Sequence, residues 1–162
     1  MVDPKVFHKI SYGLYIVASR DDGRVNGQIA NTVFQITSEP PTIGVSINKQ
    51  NLTHQFIEKS RVFVASILSR DAPLSFIGQF GFKSGRDTDK FAGVSYRKGK
   101  TGAPVVTDNC LGYIEAEVVN QIDCGTHTTF IGRVVDAGML KDTEPMTYAY
   151  YHEVKRGTAP RT

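Results

Sequence analysis

Two long β-rich runs, Gly112–Ile122 and His127–Leu140, are separated by a short turn containing Asp123-Cys124-Gly125, and that spacing makes them an antiparallel pair. The rest of the chain supplies more strands of the same kind. Tyr12–Ser19 is aromatic and β-branched, and Asp22-Gly23 marks a hairpin turn after it. Val25–Ile36 returns as a strand in which Gly27 breaks the regularity. Pro40-Pro41 interrupts sheet pairing and forces a corner. Thr42–Asn48 alternates, with Ile43, Val45 and Ile47 on one face and Thr42, Gly44, Ser46 and Asn48 on the other. Val62–Leu68 is apolar on both faces, as a central strand is. Six or more strands joined by hairpins and corners, without βαβ alternation, predict a closed antiparallel barrel rather than a sandwich.

Short helices are inserted between these strands. Asp3-Pro4 starts one, with an apolar face at Val6, Phe7 and Ile10. A second covers Leu52–Lys59, with Leu52, Phe56 and Ile57 inward and Asn51 or Thr53 as cap. Asp71-Ala72-Pro73 opens a third that ends near Gly78–Gly81, and Pro145–Glu153 is a Tyr-rich fourth. Phe80–Phe91 reads as a loop with a helical turn near Asp89. A weak strand at Val94–Arg97 and an extended piece at Pro104–Thr107 precede the long pair. The division expected is one domain over residues 1–153 and a basic tail, Val154–Thr162.

Size and charge exclude several functions. A chain of 162 residues buries roughly 70% of its unfolded surface, enough for one core. The net charge of +3 permits anionic ligands, but no basic run interleaves with aromatics, so nucleic acid is not an expected partner. Cys110 and Cys124 form no Cys-x-x-Cys pair, which argues against zinc and for two buried thiols in a reducing cytosol. Met1-Val2-Asp3-Pro4-Lys5 lacks the apolar core of a signal peptide, and no apolar run approaches the ~20 residues of a membrane span. A cytoplasmic protein with no membrane partner is expected.

The missing motifs narrow the chemistry. There is no Gly-x-Gly-x-x-Gly, no Walker loop, no His-Glu-x-x-His and no Gly-x-Ser-x-Gly elbow. Four segments remain. Ser46-Ile47-Asn48-Lys49-Gln50-Asn51-Leu52-Thr53 ends a strand and opens a helix, offering hydroxyls, amides, a cation and a helix N-terminus, the set a phosphate dianion needs. It also fits a capped helix after a polar loop. Ala30-Asn31-Thr32-Val33 places polar groups in an otherwise apolar strand, suited to the donor–acceptor edge of an isoalloxazine or to an outward strand face. Ser84-Gly85-Arg86-Asp87 lies in a loop able to reach a phosphate or to stay solvated. His127, after Cys124-Gly125-Thr126, can donate to a ligand or hold a strand start.

In their order along Lys5–Tyr151, these segments resemble the flavin reductase-like family of FMN-binding split barrels. The resemblance rests on Asn31-Thr32, Glu39-Pro40-Pro41, Val45-Ser46-Ile47-Asn48 and Asn51-Leu52-Thr53. It continues through Phe63–Leu68, the Ser84-Gly85-Arg86-Asp87 loop with Asp89-Lys90-Phe91, and Gly125-Thr126-His127, where Thr126 stands in place of the family's Asp. Tyr148–His152 and Lys155–Arg161 are similar to segments of flavoredoxin-like proteins and of the flavin domain of rubredoxin-fused reductases, although no rubredoxin Cys-x-x-Cys pair is present.

The resemblance implies a mainly β fold, an antiparallel Greek-key split β-barrel with short inserted helices, and a homodimer. It implies FMN as cofactor, with NADH or NADPH as electron donor. Lys49, Asn51 and Thr53 would hold the phosphate, Ser46 to Asn48 would follow the ribityl chain, and Ala30 to Val33 would line the ring. Ser84 to Asp87 would close one end, and His127 would be the catalytic residue near flavin or nicotinamide. The activity implied is an oxidoreductase taking hydride from NAD(P)H and passing electrons to flavin, iron or a redox protein. The alternatives are an FMN electron carrier that docks a partner such as rubredoxin and accepts no hydride, and a relative of the pyridoxamine-phosphate oxidases.

Overall fold

A computed structural model describes residues 1–158. Residues 159–162, the end of the expected basic tail, lie outside the described residues. The protein is mainly β. Seven strands form one antiparallel sheet: β1 (Tyr15–Asp21), β2 (Arg24–Ala30), β3 (Val33–Ser38), β4 (Pro41–Asn48), β5 (Val62–Leu68), β8 (Cys110–Asp123) and β9 (His127–Met139). Between β5 and β8 a separate two-stranded ribbon is made by β6 (Tyr96–Lys98) and β7 (Pro104–Val106). The strand order is β2-β1-β5-β8-β9-β4-β3. The outermost strands, β2 and β3, are consecutive in the chain and joined only by Asn31 and Thr32. Two residues bridge roughly 10 Å at most, so the sheet curls until its edges meet. No ladder joins β2 to β3 among the described residues, which leaves the barrel split along that seam.

The seam corrects one expectation. Val25–Ile36 is not a single strand; it breaks at Asn31-Thr32, where the chain leaves one edge of the sheet and joins the other. Pro40-Pro41 is also not a corner. It sits at the tip of the β3–β4 hairpin, with Ser38 paired to Pro41. Pro41 is the first residue of β4, a position where a strand does not need the missing N–H.

The alternation along the strands sorts the core onto two faces. Val17, Val45, Phe63, Ala65, Ala116 and Phe130, drawn from five strands, fill the barrel interior. Leu14, Ile16, Leu68, Ile77, Phe80 and Met146 form a second layer under α2 (Leu74–Gly81) and α3 (Tyr148–Glu153). Pro73 stands at the N-cap of α2, while Asp71 accepts a hydrogen bond from Ser69 Oγ and pairs with Lys141 at 3.7 Å. The helix α1 (Leu52–Ser60) buries Phe56 and Ile57 against the barrel, worth about 1.5–3 kcal/mol for each side chain. It ends at Arg61, whose φ of 64° turns the chain into β5.

Two further expectations change. The N-terminal turn is a 3-10 helix, Pro4–Lys9, capped by Asp3, and its apolar face at Val6, Phe7 and Ile10 is exposed rather than packed. Only Cys110 is a buried thiol, and burial pushes it up to about 12. Cys124 is exposed because it lies in the β8–β9 turn, outside the paired ladder.

His54 of α1 is buried against the barrel interior. Its Nε2 lies 2.7 Å from Thr128 Oγ1 and its ring 5.2 Å from that of Phe130. Burial, ahead of the neighbouring Lys49 charge, lowers its pKa below the ordinary 6.5, with Glu58 opposing. The unfolded chain therefore binds the proton more readily, so stability is full above about 6.5 and is lost as pH falls toward the folded pKa. We expect the melting temperature to drop between pH 7 and pH 5, and His54→Gln to flatten that slope. An equal slope in both proteins would refute the assignment.

Candidate functional site

The seam between β2 and β3 opens onto a groove bounded by β2, the end of β4, α1 and α2. Its first part is a cavity of about 170 Å³ lined by Ala30, Asn31, Thr32, Ser46 and His127, with Tyr148 and Tyr151 on one wall. Its second part, about 360 Å³, is lined by Thr53, Ser84, Gly85, Arg86 and Lys90. Gln28, Asn48, Asn51 and Phe82 line both, so the two parts form one continuous groove.

Local backbone chemistry brings the two ends into register. Thr32 O accepts from Ser46 N at 3.1 Å, tying the seam to β4. His127 pairs with Asn48 across β4 and β9, and its Nδ1 lies 2.8 Å from Thr126 Oγ1. Asn48 Oδ1 accepts from Gln50 N at 2.9 Å and turns the chain into α1. Asn51 occupies the N-cap of α1 but its side chain makes no cap bond, while its carbonyl accepts from His54 N at 3.1 Å. Thr53 is fully buried, and its Oγ1 accepts from Asn26 Nδ2 at 2.8 Å. The Ser84–Arg86 loop is clasped over the groove by Arg86 Nη1, which donates to Gln50 O at 3.0 Å.

Four residues expected at the site are not brought to it. Val33 packs against the barrel interior, because β3 starts there and its side chain follows the pleat inward. Ile47 is fully buried in the same interior, as the alternation of β4 requires. Lys49 lines neither cavity; its Nζ is held by Asp123 Oδ1 at 2.5 Å. Asp87 faces a different groove on the far side of its loop.

Other residues take part that the residue types did not single out. Lys90 is 5% exposed, and its Nζ donates to Gly27 O and Phe80 O, both at 2.9 Å. An ammonium has three protons, so one remains for a ligand. Burial lowers its pKa to about 8. Gln28 Oε1 is buried with no partner among the described residues, at the junction of the two cavities. Asn26 and Gln28 stand two apart on β2, and that polar period-2 pair was the available sequence signal. Lys90 had none, because it reads as an ordinary loop lysine.

Charge divides the groove. Lys83, Arg86 and Lys90 line the second part and, among the described residues, no carboxylate does. Among the described residues, no aspartate, glutamate, lysine or arginine lines the first part. The arrangement suits a ligand with a flat neutral body and an anionic end. No group of His, Cys, Asp and Glu side chains with metal-binding geometry occurs among the described residues.

Residues 7–159 match the family described as "Flavin reductase like domain". The chain is 59% identical over 161 residues to the high molecular weight rubredoxin of Moorella thermoacetica, covering 99% of this chain and 70% of that protein. It is 53% identical over 161 residues to the ferric-chelate reductase (NAD(P)H) of Archaeoglobus fulgidus, covering 99% of this chain and 95% of the relative. Among solved structures, an FMN-binding protein from Thermus thermophilus with bound p-hydroxybenzaldehyde superposes with a TM-score of 0.76 at 29% identity, covering 85% of this chain and 77% of that one.

Proposed function

The chain belongs to the flavin reductase-like family, and from that premise we propose that its groove holds FMN and that the protein takes hydride from NADH or NADPH. The observation that carries this reading is the charge division of the groove: a neutral first part with amide and hydroxyl groups, and a second part with three cations and no carboxylate. The orphaned Gln28 Oε1 between them fits a hydroxylated linker, whose O–H groups would satisfy it.

FMN, when bound, supplies the redox chemistry: hydride acceptance and onward electron transfer. The chain's own residues bind and orient. Asn31, Thr32 and Ser46 provide donors and acceptors for the edge of a flat ring, and Ala30 an apolar floor. Gln28 and Asn48 serve the linker. Ser84, Gly85, Arg86 and Lys90, with Asn51 and Thr53 at the start of α1, hold the phosphate. His127 stands at the ring end of the groove, where it would orient a nicotinamide or acceptor. No protein nucleophile or general base is required.

The electron acceptor follows from the relatives' names. One is a ferric-chelate reductase, which favours iron. Another carries the name of a rubredoxin and extends past the matched region, which favours a redox protein and keeps the carrier reading in play. The exposed apolar turn at Val6, Phe7 and Ile10 supports a homodimer. A cytoplasmic location agrees with the absence, among the described residues, of any helix long and apolar enough to cross a membrane.

The test is anaerobic. Purified protein should quench the fluorescence of added FMN and, once loaded, bleach on mixing with NADH or NADPH. Binding without bleaching by either would overturn hydride transfer and leave the carrier. No binding of FMN would overturn both.

A further inference from the structure

The phosphate end of the groove is closed by a wall. Beyond the Ser84–Arg86 loop lies another groove of about 510 Å³, with Arg24, Asp87, Asp89, Phe91 and Tyr96 on its sides. It shares Asn26, Gly85, Arg86 and Lys90 with the second cavity, so these residues form the partition between the two.

The partition leaves no passage at its centre. Gly85 lies so close to Asn26 that a Cβ there would sit 2.1 Å from Asn26 Oδ1 and 2.7 Å from its Cγ, with Leu52 Cδ2 at 3.1 Å. Backbone and amide are already in van der Waals contact. Neither side is free to retreat. Asn26 is 3% exposed and donates to Thr53 Oγ1, which is itself fully buried. The loop is pinned by the Arg86 clasp to Gln50 and by an internal turn, with Asp87 N and Thr88 N both 3.1 Å from Ser84 O.

We propose that the Asn26–Gly85 contact is the specificity determinant that ends the flavin site at a monophosphate. This rests on the flavin reading of the groove. A mononucleotide flavin places its terminal phosphate against Lys90 and Arg86 and stops there. A dinucleotide flavin must continue through a second phosphate to an adenosine, and the wall stands where that chain would run. The discrimination is steric: correct binding is unimpeded, and the larger ligand meets packed atoms. The groove beyond the wall has the room, with the ring of Tyr96 and the guanidinium of Arg24 beside the carboxylates of Asp87 and Asp89, so opening the wall gives the second half of FAD a place to go.

The test compares dissociation constants for FMN, FAD and riboflavin by flavin-fluorescence quenching. Wild-type protein should bind FMN about 100-fold more tightly than FAD. Asn26→Ala should narrow that ratio by about tenfold while leaving riboflavin affinity near its wild-type value. Asn26→Ser, which keeps a hydroxyl toward Thr53, is the second variant if Asn26→Ala fails to fold. FAD binding within threefold of FMN in the wild type would overturn the proposal and leave the flavin reading standing. A ratio unchanged in folded variants would overturn it too. Binding of no flavin at all would remove both.

Discussion

Replacing Lys90 by methionine should lower FMN affinity by about 100-fold and leave riboflavin affinity unchanged. The ammonium is buried, and two of its protons are committed to Gly27 O and Phe80 O. Removing one partner of a buried, hydrogen-bonded charge pair costs about 2–5 kcal/mol, and 100-fold lies at the low end of that range. Riboflavin has no phosphate, so it does not use this charge. In the free protein methionine removes a costly buried charge but leaves Gly27 O and Phe80 O without this donor, so riboflavin affinity of the folded variant is a control. The same amine gives a pH signature. With its pKa near 8 in the free protein, it loses its proton as pH rises past that value, and FMN affinity should fall there while riboflavin affinity does not. Lys49→Ala is the control: its Nζ sits on Asp123, outside the groove, and FMN affinity should stay within about threefold. Wild-type FMN affinity in Lys90→Met would refute the phosphate assignment. So would a large loss in Lys49→Ala.

Phe130→Ala should destabilise the protein by about 3–5 kcal/mol, the range for emptying a buried aromatic site. Phe130 is fully buried on β9, paired with Val45 on one side and Gln121 on the other, and its ring meets His54 of α1. The barrel interior cannot collapse onto the hole without breaking the ladders on both sides. Against a typical total of about 5–15 kcal/mol, this is a large fraction of the stability. Denaturant titration should show a lower midpoint with an unchanged slope. On the flavin reading, added FMN should recover part of the loss, as a ligand of the folded state alone does. A destabilisation under about 1.5 kcal/mol would show that the interior repacks.

Much of the fold could be read locally. The alternation at Ile43, Val45 and Ile47 and the Asp123-Cys124-Gly125 turn report on neighbours a few residues away. Side-chain period and turn chemistry are properties of short segments, which makes them visible in a one-dimensional string. The break at Asn31-Thr32 escaped because both flanks carry the same strand-like composition, and only the strand order requires the chain to change edges there. The Pro-Pro pair reads as a corner for a related reason: proline forbids a hydrogen bond at its own nitrogen but does not say whether the flanking segments pair.

The groove divides the same way. Asn31, Thr32, Ser46, Asn48, Asn51 and Thr53 were recognisable because each lies at a strand end or helix start with a legible local role. The cation was not. Lys49 and Lys90 are both lysines beside polar neighbours, and nothing within a few residues ranks them. Asp123, 74 residues from Lys49, draws that side chain away, while the fold of α2 and its following loop across β2 places Lys90 over two carbonyls facing the groove. The sequence by itself determined the family, the barrel and the two polar ends of the groove, because those rest on local periodicity and on the order of short motifs. The tertiary structure alone decided which lysine lines the groove and which distant segments meet at its end. Lys49 reaches an exposed carboxylate while Lys90 is enclosed between β2 and the loop after α2, and both that choice and a wall such as Asn26 against Gly85 exist only once distant segments are packed together.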